Sequence, residues 1–212
     1  MKLKVPEDIN DIKLSQFQSF VKIEEPDNYD VMRIFYNLNK DKVNAMQIED
    51  VEHLVQTISN ILNTEVKDLT PTFTIKDIDF GFIPKLDDMT YGEHTDLIEY
   101  VNDLDKIHLA MAVLFRPIKQ KQFGKYLIED YQGSEVYGEV MKQMPLGAML
   151  GAKVFFWNLT KDLLNYIPAY IKEEASQMPT QKSGEIIQLC TDLQKATSSS
   201  LTKSPNLMYT IV

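Results

Sequence analysis

The sequence is poor in residues that cross-link chains or bind metals. Its 212 residues include one cysteine, Cys190, and three histidines, His53, His94 and His108. A single cysteine excludes an internal disulfide and is typical of a protein that folds in a reducing cytosol. No two histidines are four residues apart, so the sequence lacks the His pair that zinc-binding helices present.

Long hydrophobic runs are also missing. The longest apolar stretch, residues 144–157, is interrupted by Lys153, whereas a membrane-spanning helix needs about 20 apolar residues. The start of the chain, MKLKVPEDIND, has no apolar segment of the kind found in a secretory signal. We therefore expect no membrane span, and we expect 144–157 to form a buried helix. Gly147 and Gly151 would share one face of it, where another backbone can approach closely.

Positive charge is scarce as well. The net charge is −9; residues 1–105 carry 22 acidic and 10 basic side chains, and residues 106–212 carry 9 and 12. Nucleic-acid binding needs a basic face, so no sequence-specific nucleic-acid partner is expected.

One stretch of the chain is basic and free of acids. It is RPIKQKQFGK, which contains Arg116, Lys119 and Lys121. It fits a solvated loop, a phosphate contact, or a patch that meets an acidic surface on a neighbouring copy. In the last case, identical subunits would pack head to tail, with the basic patch of one copy against the acidic part of the next.

Apolar residues recur with helical spacing in the first and last thirds of the chain, whereas the middle third shows strand alternation. Strands are predicted over 72–80 and within 124–133, with a helix over 102–115 that Asn102 would cap. The most regular helical stripe consists of Ile48, Val51, Val55, Ile58 and Leu62.

These patterns predict an α+β fold that is mostly helical. Helices would surround a small antiparallel sheet or hairpin from the middle of the chain, and an extended C-terminal tail would follow. We expect one compact domain over residues 1–175 with a β insertion at about 70–132. Residues 176–212 would form a C-terminal helix and the tail.

The stretch DFGFIPKLDDMTYGEHTDL, residues 79–97, invites a catalytic reading. A protein kinase needs a glycine-rich phosphate loop, a paired Lys and Glu, and an HRD-type loop besides DFG, and the sequence has none of these. Glu93, His94 and Asp96 are conceivable metal ligands, although a lone histidine in an acidic turn is more often a hydrogen-bonded structural residue. We expect 79–97 to be a rigid connector that turns at Gly81, Pro84 and Gly92.

No other chemistry-bearing pattern stands out. GxSxG, Walker and dinucleotide-binding motifs are missing from the sequence, and Cys190 occupies an apolar helical position that favours a buried, inert thiol. Asp87 and Asp88 are adjacent at a turn, which is poor spacing for an acid–base pair. The sequence therefore predicts no catalytic, cofactor-binding or metal-binding residue, no cofactor, and a protein that is not an enzyme.

Four segments carry a family resemblance. They are KVPEDINDIKLSQFQSF, DFGFIPKLDDMTYGEHTDL, IHLAMAVLFRPIKQKQFGKYLIEDYQG and MPLGAMLGAKVFFWNL, in this order between about residues 3 and 165. Together they resemble a family of small proteins encoded among the structural genes of tailed bacteriophages, including crAss-like phages of gut bacteria. GEHTDL followed by AMAVLFRPI is the most specific part.

The resemblance implies a non-enzymatic virion protein, assembled in the cytoplasm of the host bacterium. Such a protein would belong to the portal–tail region as a ring or connector, or be carried in the particle. Its partners would be other phage structural proteins and further copies of itself in a ring, with no membrane involved. The alternative is a tail assembly chaperone that is absent from the mature virion.

Overall fold

The computed structural model describes residues 3–159. The chain divides into two compact units, residues 1–152 and 153–212. Of the second unit only residues 153–159 are described, and these are helical. The domain boundary expected near residue 175, the C-terminal helix with Cys190, and the extended tail lie outside the described residues and stay predictions.

Helices and a small sheet build the first unit, which confirms the predicted α+β, mostly helical class. The sheet has four antiparallel strands, each paired with its neighbours in the chain. The strands are β1 (Thr72–Ile75), β2 (Ile78–Phe82), β3 (Phe115–Gln122) and β4 (Lys125–Ile128). The helices are α1 (Leu14–Phe20), α2 (Asn28–Tyr36), α3 (Lys40–Asn44), α4 (Ile48–Leu62), α5 (Tyr91–Tyr100), α6 (Ile107–Leu114), α7 (Glu135–Met141) and α8, which begins at residue 146.

The strand predicted over 72–80 is a hairpin. The chain reverses between β1 and β2 at Lys76 and Asp77, whose φ angles are 47° and 67°. A two-residue loop with both φ angles positive matches the twist of a hairpin, and its usual sequence signal is Asn-Gly or Asp-Gly. Lys-Asp carries no such signal, which is why alternation alone predicted one uninterrupted strand.

Gly81 does not form the expected turn but lies inside β2, paired with Thr72 on one side and Arg116 on the other. A Cβ at this position would come within 2.6 Å of the ring of Tyr126. The glycine therefore lets the Tyr126 ring lie against the sheet, where its hydroxyl donates a hydrogen bond of 2.8 Å to the Phe82 carbonyl.

The predicted connector over 79–97 is wrong in its second half, because residues from Tyr91 onward form α5. Gly92 is in the first turn of this helix rather than in a loop, and Thr90 is its N-cap. The next helix, α6, begins at Ile107 without a side-chain cap, so Asn102 does not start it as predicted.

The basic stretch is not a loop, because β3 runs through it. Pro117 pairs with Phe80 inside the sheet. A proline fits there since its carbonyl alone bonds, accepting from the Glu129 N–H at 2.9 Å, and the register shifts just beyond it, between Ile118 and Gln120. The consequence is that Arg116 is fixed in a central strand rather than in solvent.

Aromatic rings form the core on one face of the sheet. Phe73 and Phe115 have ring centroids 5.0 Å apart, and Phe82 lies 5.2 Å from Phe115. Phe80 contacts Tyr137 of α7 edge to face at 5.9 Å. Such tilted and edge-on contacts are the favoured geometry of aromatic pairs, so they fix how α7 lies on the sheet.

The start of α8 packs tightly within the first unit. The Leu146 N–H donates a 2.7 Å hydrogen bond to the Ile12 carbonyl, which ties α8 to the segment before α1. A Cβ on Gly151 would lie 2.6 Å from the Asp68 carbonyl oxygen, and a Cβ on Gly147 would collide with Asn10. The predicted close approach of another backbone is confirmed at Gly151, whereas the atoms that crowd Gly147 belong to side chains.

The stripe predicted for α4 is rotated. Val51 and Ile58 are buried as expected, but Leu54 and Ile61 complete the stripe instead of the other predicted members. Ile48 is 73% exposed at the start of the helix, so its predicted burial is wrong.

Candidate functional site

A buried ion pair joins α5 to β3. The Nη2 of Arg116 lies 2.7 Å from Oε1 of Glu93, and the two side chains are only 8% and 3% exposed. Charged groups are rarely buried unless they are paired, because each loses its hydration. Glu93 and Arg116 therefore compensate each other, and neither can be removed without leaving a buried charge.

The first turn of α5 holds the carboxylate of Glu93 in place. Its Oε2 accepts a 2.6 Å hydrogen bond from the Thr90 N–H, and the Glu93 N–H donates to the Thr90 hydroxyl oxygen at 3.3 Å. This reciprocal arrangement is a capping box, which satisfies two N–H groups at the start of the helix. One oxygen of Glu93 thus serves the helix cap and the other serves Arg116, so the carboxylate presents no face to a substrate.

A second polar contact runs beside the ion pair. The guanidinium carbon of Arg116 is 5.8 Å from the ring centroid of Tyr131, within the range of a cation–π contact. The Tyr131 hydroxyl donates to the carboxylate of Asp96, also on α5. Burial, reinforced by this carboxylate, raises the pKa of Tyr131 well above its ordinary value of 10.0. The tyrosine therefore stays a neutral donor and links α5 to the segment after β4.

The arginine is not fully satisfied by these contacts. Within residues 3–159, its Nε is the one buried side-chain nitrogen or oxygen that has no hydrogen-bond partner. A buried donor without a partner costs about 1–3 kcal/mol. Arg116 therefore depends on its single ionic partner more than a fully bonded arginine would.

The three conceivable metal ligands do not converge. Glu93 points inward to Arg116, Asp96 contacts Tyr131, and His94 is exposed between them. His94 directly follows Glu93 on the helix and so faces a different direction, and the two carboxylates already contact Arg116 and Tyr131. In the described part of the chain, no group of three or more His, Cys, Asp or Glu side chains is placed to hold a metal.

The remaining histidines differ from each other. His53 is exposed on α4, as its polar neighbours predict. His108 is buried at the start of α6, where Gln18 Nε2 lies 3.3 Å from its Nδ1. Burial is the main cause that lowers the pKa of His108 below 6.5, and the nearby charge of Lys142 acts in the same direction. His108 therefore reads as a neutral core residue.

The basic stretch is divided between the core and the surface. Arg116 is buried, which corrects its assignment to a surface patch. Lys119 pairs with Asp130 at 3.1 Å, and Lys121 pairs with Asp79, whose pKa is lowered chiefly by the hydrogen bond from that lysine. The surface that remains is the tip of the β3–β4 hairpin.

The Glu93–Arg116 contact was not predicted, although two local signals precede it. Thr90 followed by Glu93 has the spacing of a capping box, which marks a helix start. Arg116 sits in the apolar run AVLFRPI, where a charged side chain needs a buried partner. What the sequence does not give is which acidic residue, among many, meets it.

No family model, curated protein or solved structure matches this chain. Between residues 3 and 159, every helix is too short or too polar to cross a bilayer.

Proposed function

We propose that this chain is a non-enzymatic bacteriophage virion protein of the portal–tail region, a ring or connector component or a protein carried in the particle, which acts through protein–protein contacts. The proposal rests on the resemblance of its four segments to small proteins encoded among tailed-phage structural genes. It also rests on the use that the fold makes of the most specific of these segments.

One observation carries the proposal. GEHTDL and AMAVLFRPI, the most specific parts of the resemblance, are joined by the Glu93–Arg116 pair. The side chains that look most like a site are thus engaged in holding a helix against a strand. A signature used in this way suits a protein whose task is to present a rigid surface to its neighbours.

Composition of the particle tests the proposal. Purified virions of the encoding phage would be digested and quantified by mass spectrometry, with the portal and major capsid proteins as internal references. A virion component is expected at a fixed ratio to the portal protein. Its absence from particles, with abundant expression in infected cells, would favour the alternative, a tail assembly chaperone.

Two single substitutions test the proposal that the protein is not an enzyme. His94→Ala changes the exposed residue of the motif and is expected to leave folding, particle assembly and infectivity unchanged. Glu93→Ala breaks the buried ion pair. It is expected to reduce the amount of folded protein, and with it particle assembly and infectivity. A variant at His94 that folds and assembles but yields inactive particles would contradict the proposal, because it would reveal chemistry at this motif.

A further inference from the structure

The tip of the β3–β4 hairpin exposes an aromatic residue in an unfavourable backbone conformation. Phe123 is 95% exposed, and its φ angle is 50°. It forms a two-residue hairpin loop with Gly124, whose φ angle is 75°. Asparagine or glycine is the usual residue at the first position of such a loop, and a bulky residue with positive φ is uncommon. Among residues 3–159, neither core packing nor turn geometry explains a phenylalanine here, which points to a contact with another molecule.

Lysines lie on both strands that lead to this phenylalanine. Lys119, Lys121 and Lys125 lie on the two strands of the hairpin, and the stretch from Pro117 to Ile128 contains no acidic residue. Asp130 and Asp79 partly neutralise the first two, whereas Lys125 forms no ion pair with any described residue. The hairpin thus carries an exposed aromatic residue at its end and lysines on its strands, and we call Lys119, Lys121, Phe123 and Lys125 the hairpin tip.

The start of α4 has the opposite charge around a similar apolar centre. Ile48 is 73% exposed, and Glu49, Asp50 and Glu52 beside it are all exposed. Acidic residues in a first turn stabilise a helix through its dipole, but that effect does not explain an exposed isoleucine among them. We call these four residues the α4 patch.

The two surfaces belong to different elements of the same chain. The hairpin tip extends from the sheet, whereas the α4 patch is on a helix that packs on α2. Their charges are complementary, and each has an apolar residue at its centre, which is the pattern of a small interface with a charged rim. A contact between unlike patches of identical chains is heterologous, so it generates a closed ring or an open filament.

We propose that the hairpin tip of one copy docks on the α4 patch of a second copy, with Phe123 packing on Ile48 and the lysines facing the acidic rim. The contact deepens the proposed function, since it supplies the head-to-tail interface that a ring of identical subunits needs.

Mixing two variants of the full chain tests the contact. Phe123→Asn disables the hairpin tip while giving the loop its preferred Asn-Gly pair, and Ile48→Asp disables the α4 patch at an exposed helix position. Each variant alone is expected to associate at least about thirtyfold more weakly than the wild type in sedimentation velocity. An equimolar mixture is expected to form one-to-one dimers, because each variant keeps the half that the other lacks.

Several results would overturn the contact. These are a wild-type chain that is monomeric throughout a roughly hundredfold range of concentration, variants that associate like the wild type, and a mixture that stays monomeric. Ile98→Ser, at an exposed apolar position on α5, is the matched control and is expected to associate normally. Unfolding of Phe123→Asn at equal or higher urea than the wild type would show that lost association is not lost folding.

Lipid binding is the competing outcome for an exposed phenylalanine among lysines. Vesicles of phosphatidylglycerol would be sedimented with the wild-type chain at a concentration too low for its self-association. The proposed contact would be overturned if the wild-type chain binds the vesicles, Phe123→Asn abolishes that binding, and the wild-type chain does not self-associate. Mass spectrometry of particles tests the virion proposal independently of this contact. A failure of the contact can therefore be distinguished from a failure of the virion proposal.

Discussion

Removing one member of the buried ion pair should destabilise the first unit strongly, whereas removing both should not. Arg116→Met keeps most of the side-chain volume but leaves the Glu93 carboxylate buried without its cation. Glu93→Gln keeps an oxygen for the Thr90 N–H but leaves the guanidinium, whose Nε is already unpartnered, without a counter-charge. Breaking a buried pair in this way costs about 3–5 kcal/mol.

The double variant carries the sharper expectation. A buried ion pair replaced by uncharged groups of similar size is often close to neutral, so E93Q/R116M should cost only about 1–2 kcal/mol. The summed single costs would be about 6–10 kcal/mol, so the coupling between the two positions should be several kcal/mol. A typical domain has only about 5–15 kcal/mol of stability, so a single variant can be largely unfolded while the double variant is folded.

Urea unfolding followed by far-ultraviolet circular dichroism measures these values. Asp105→Asn, which removes an exposed ion pair with Lys22, is the matched control and should cost less than about 1 kcal/mol. The reasoning would be refuted by single variants at Glu93 and Arg116 that cost no more than this control. Costs that simply add in the double variant would refute it equally, because they would show that the two charges are independent.

Two further predictions concern packing and pH. Gly151→Ala should destabilise the first unit by about 1–3 kcal/mol, because the new Cβ would lie 2.6 Å from the backbone carbonyl of Asp68. Gly92→Ala, whose Cβ would meet nothing nearer than 4.0 Å, should instead stabilise α5 by up to about 1 kcal/mol; equal urea midpoints for the two variants would contradict this account. The free energy of unfolding should fall as the pH drops below 6.5. In the unfolded chain His108 takes up a proton there, whereas in the folded chain burial lowers the pKa of its ring and keeps it neutral. His108→Gln should reduce this loss between about pH 7 and about pH 5, and an unchanged pH dependence would show that the histidine does not contribute.

Periodicity located most of the helices and the fold class, because burial of a stripe or a strand face is a local property of the sequence. The α4 helix shows the limit of this information. Val51 and Ile58 are buried as their spacing predicts, but the exposed Ile48 fits the same spacing. Which of these residues are buried depends on where the neighbouring helix packs.

Turns and long-range contacts were harder to predict. The Lys76–Asp77 loop adopts left-handed angles without a glycine, and Gly92 lies inside a helix although glycine usually marks a turn. The Glu93–Arg116 pair joins residues far apart in sequence, so its existence depends on how α5 and β3 meet. The sequence indicates that Arg116 needs a buried partner, but the identity of that partner depends on how α5 packs against β3.

We propose that the chain works inside a phage particle through contacts between protein surfaces. Electron microscopy of whole virions of the phage proposed to encode the chain tests this proposal, since one map shows location, copy number and neighbours. We expect several copies of the first unit around the axis of the portal–tail region, with the hairpin tip of each against the α4 patch of the next. A virion map in which no density fits this fold, from particles that also lack its peptides, would contradict it.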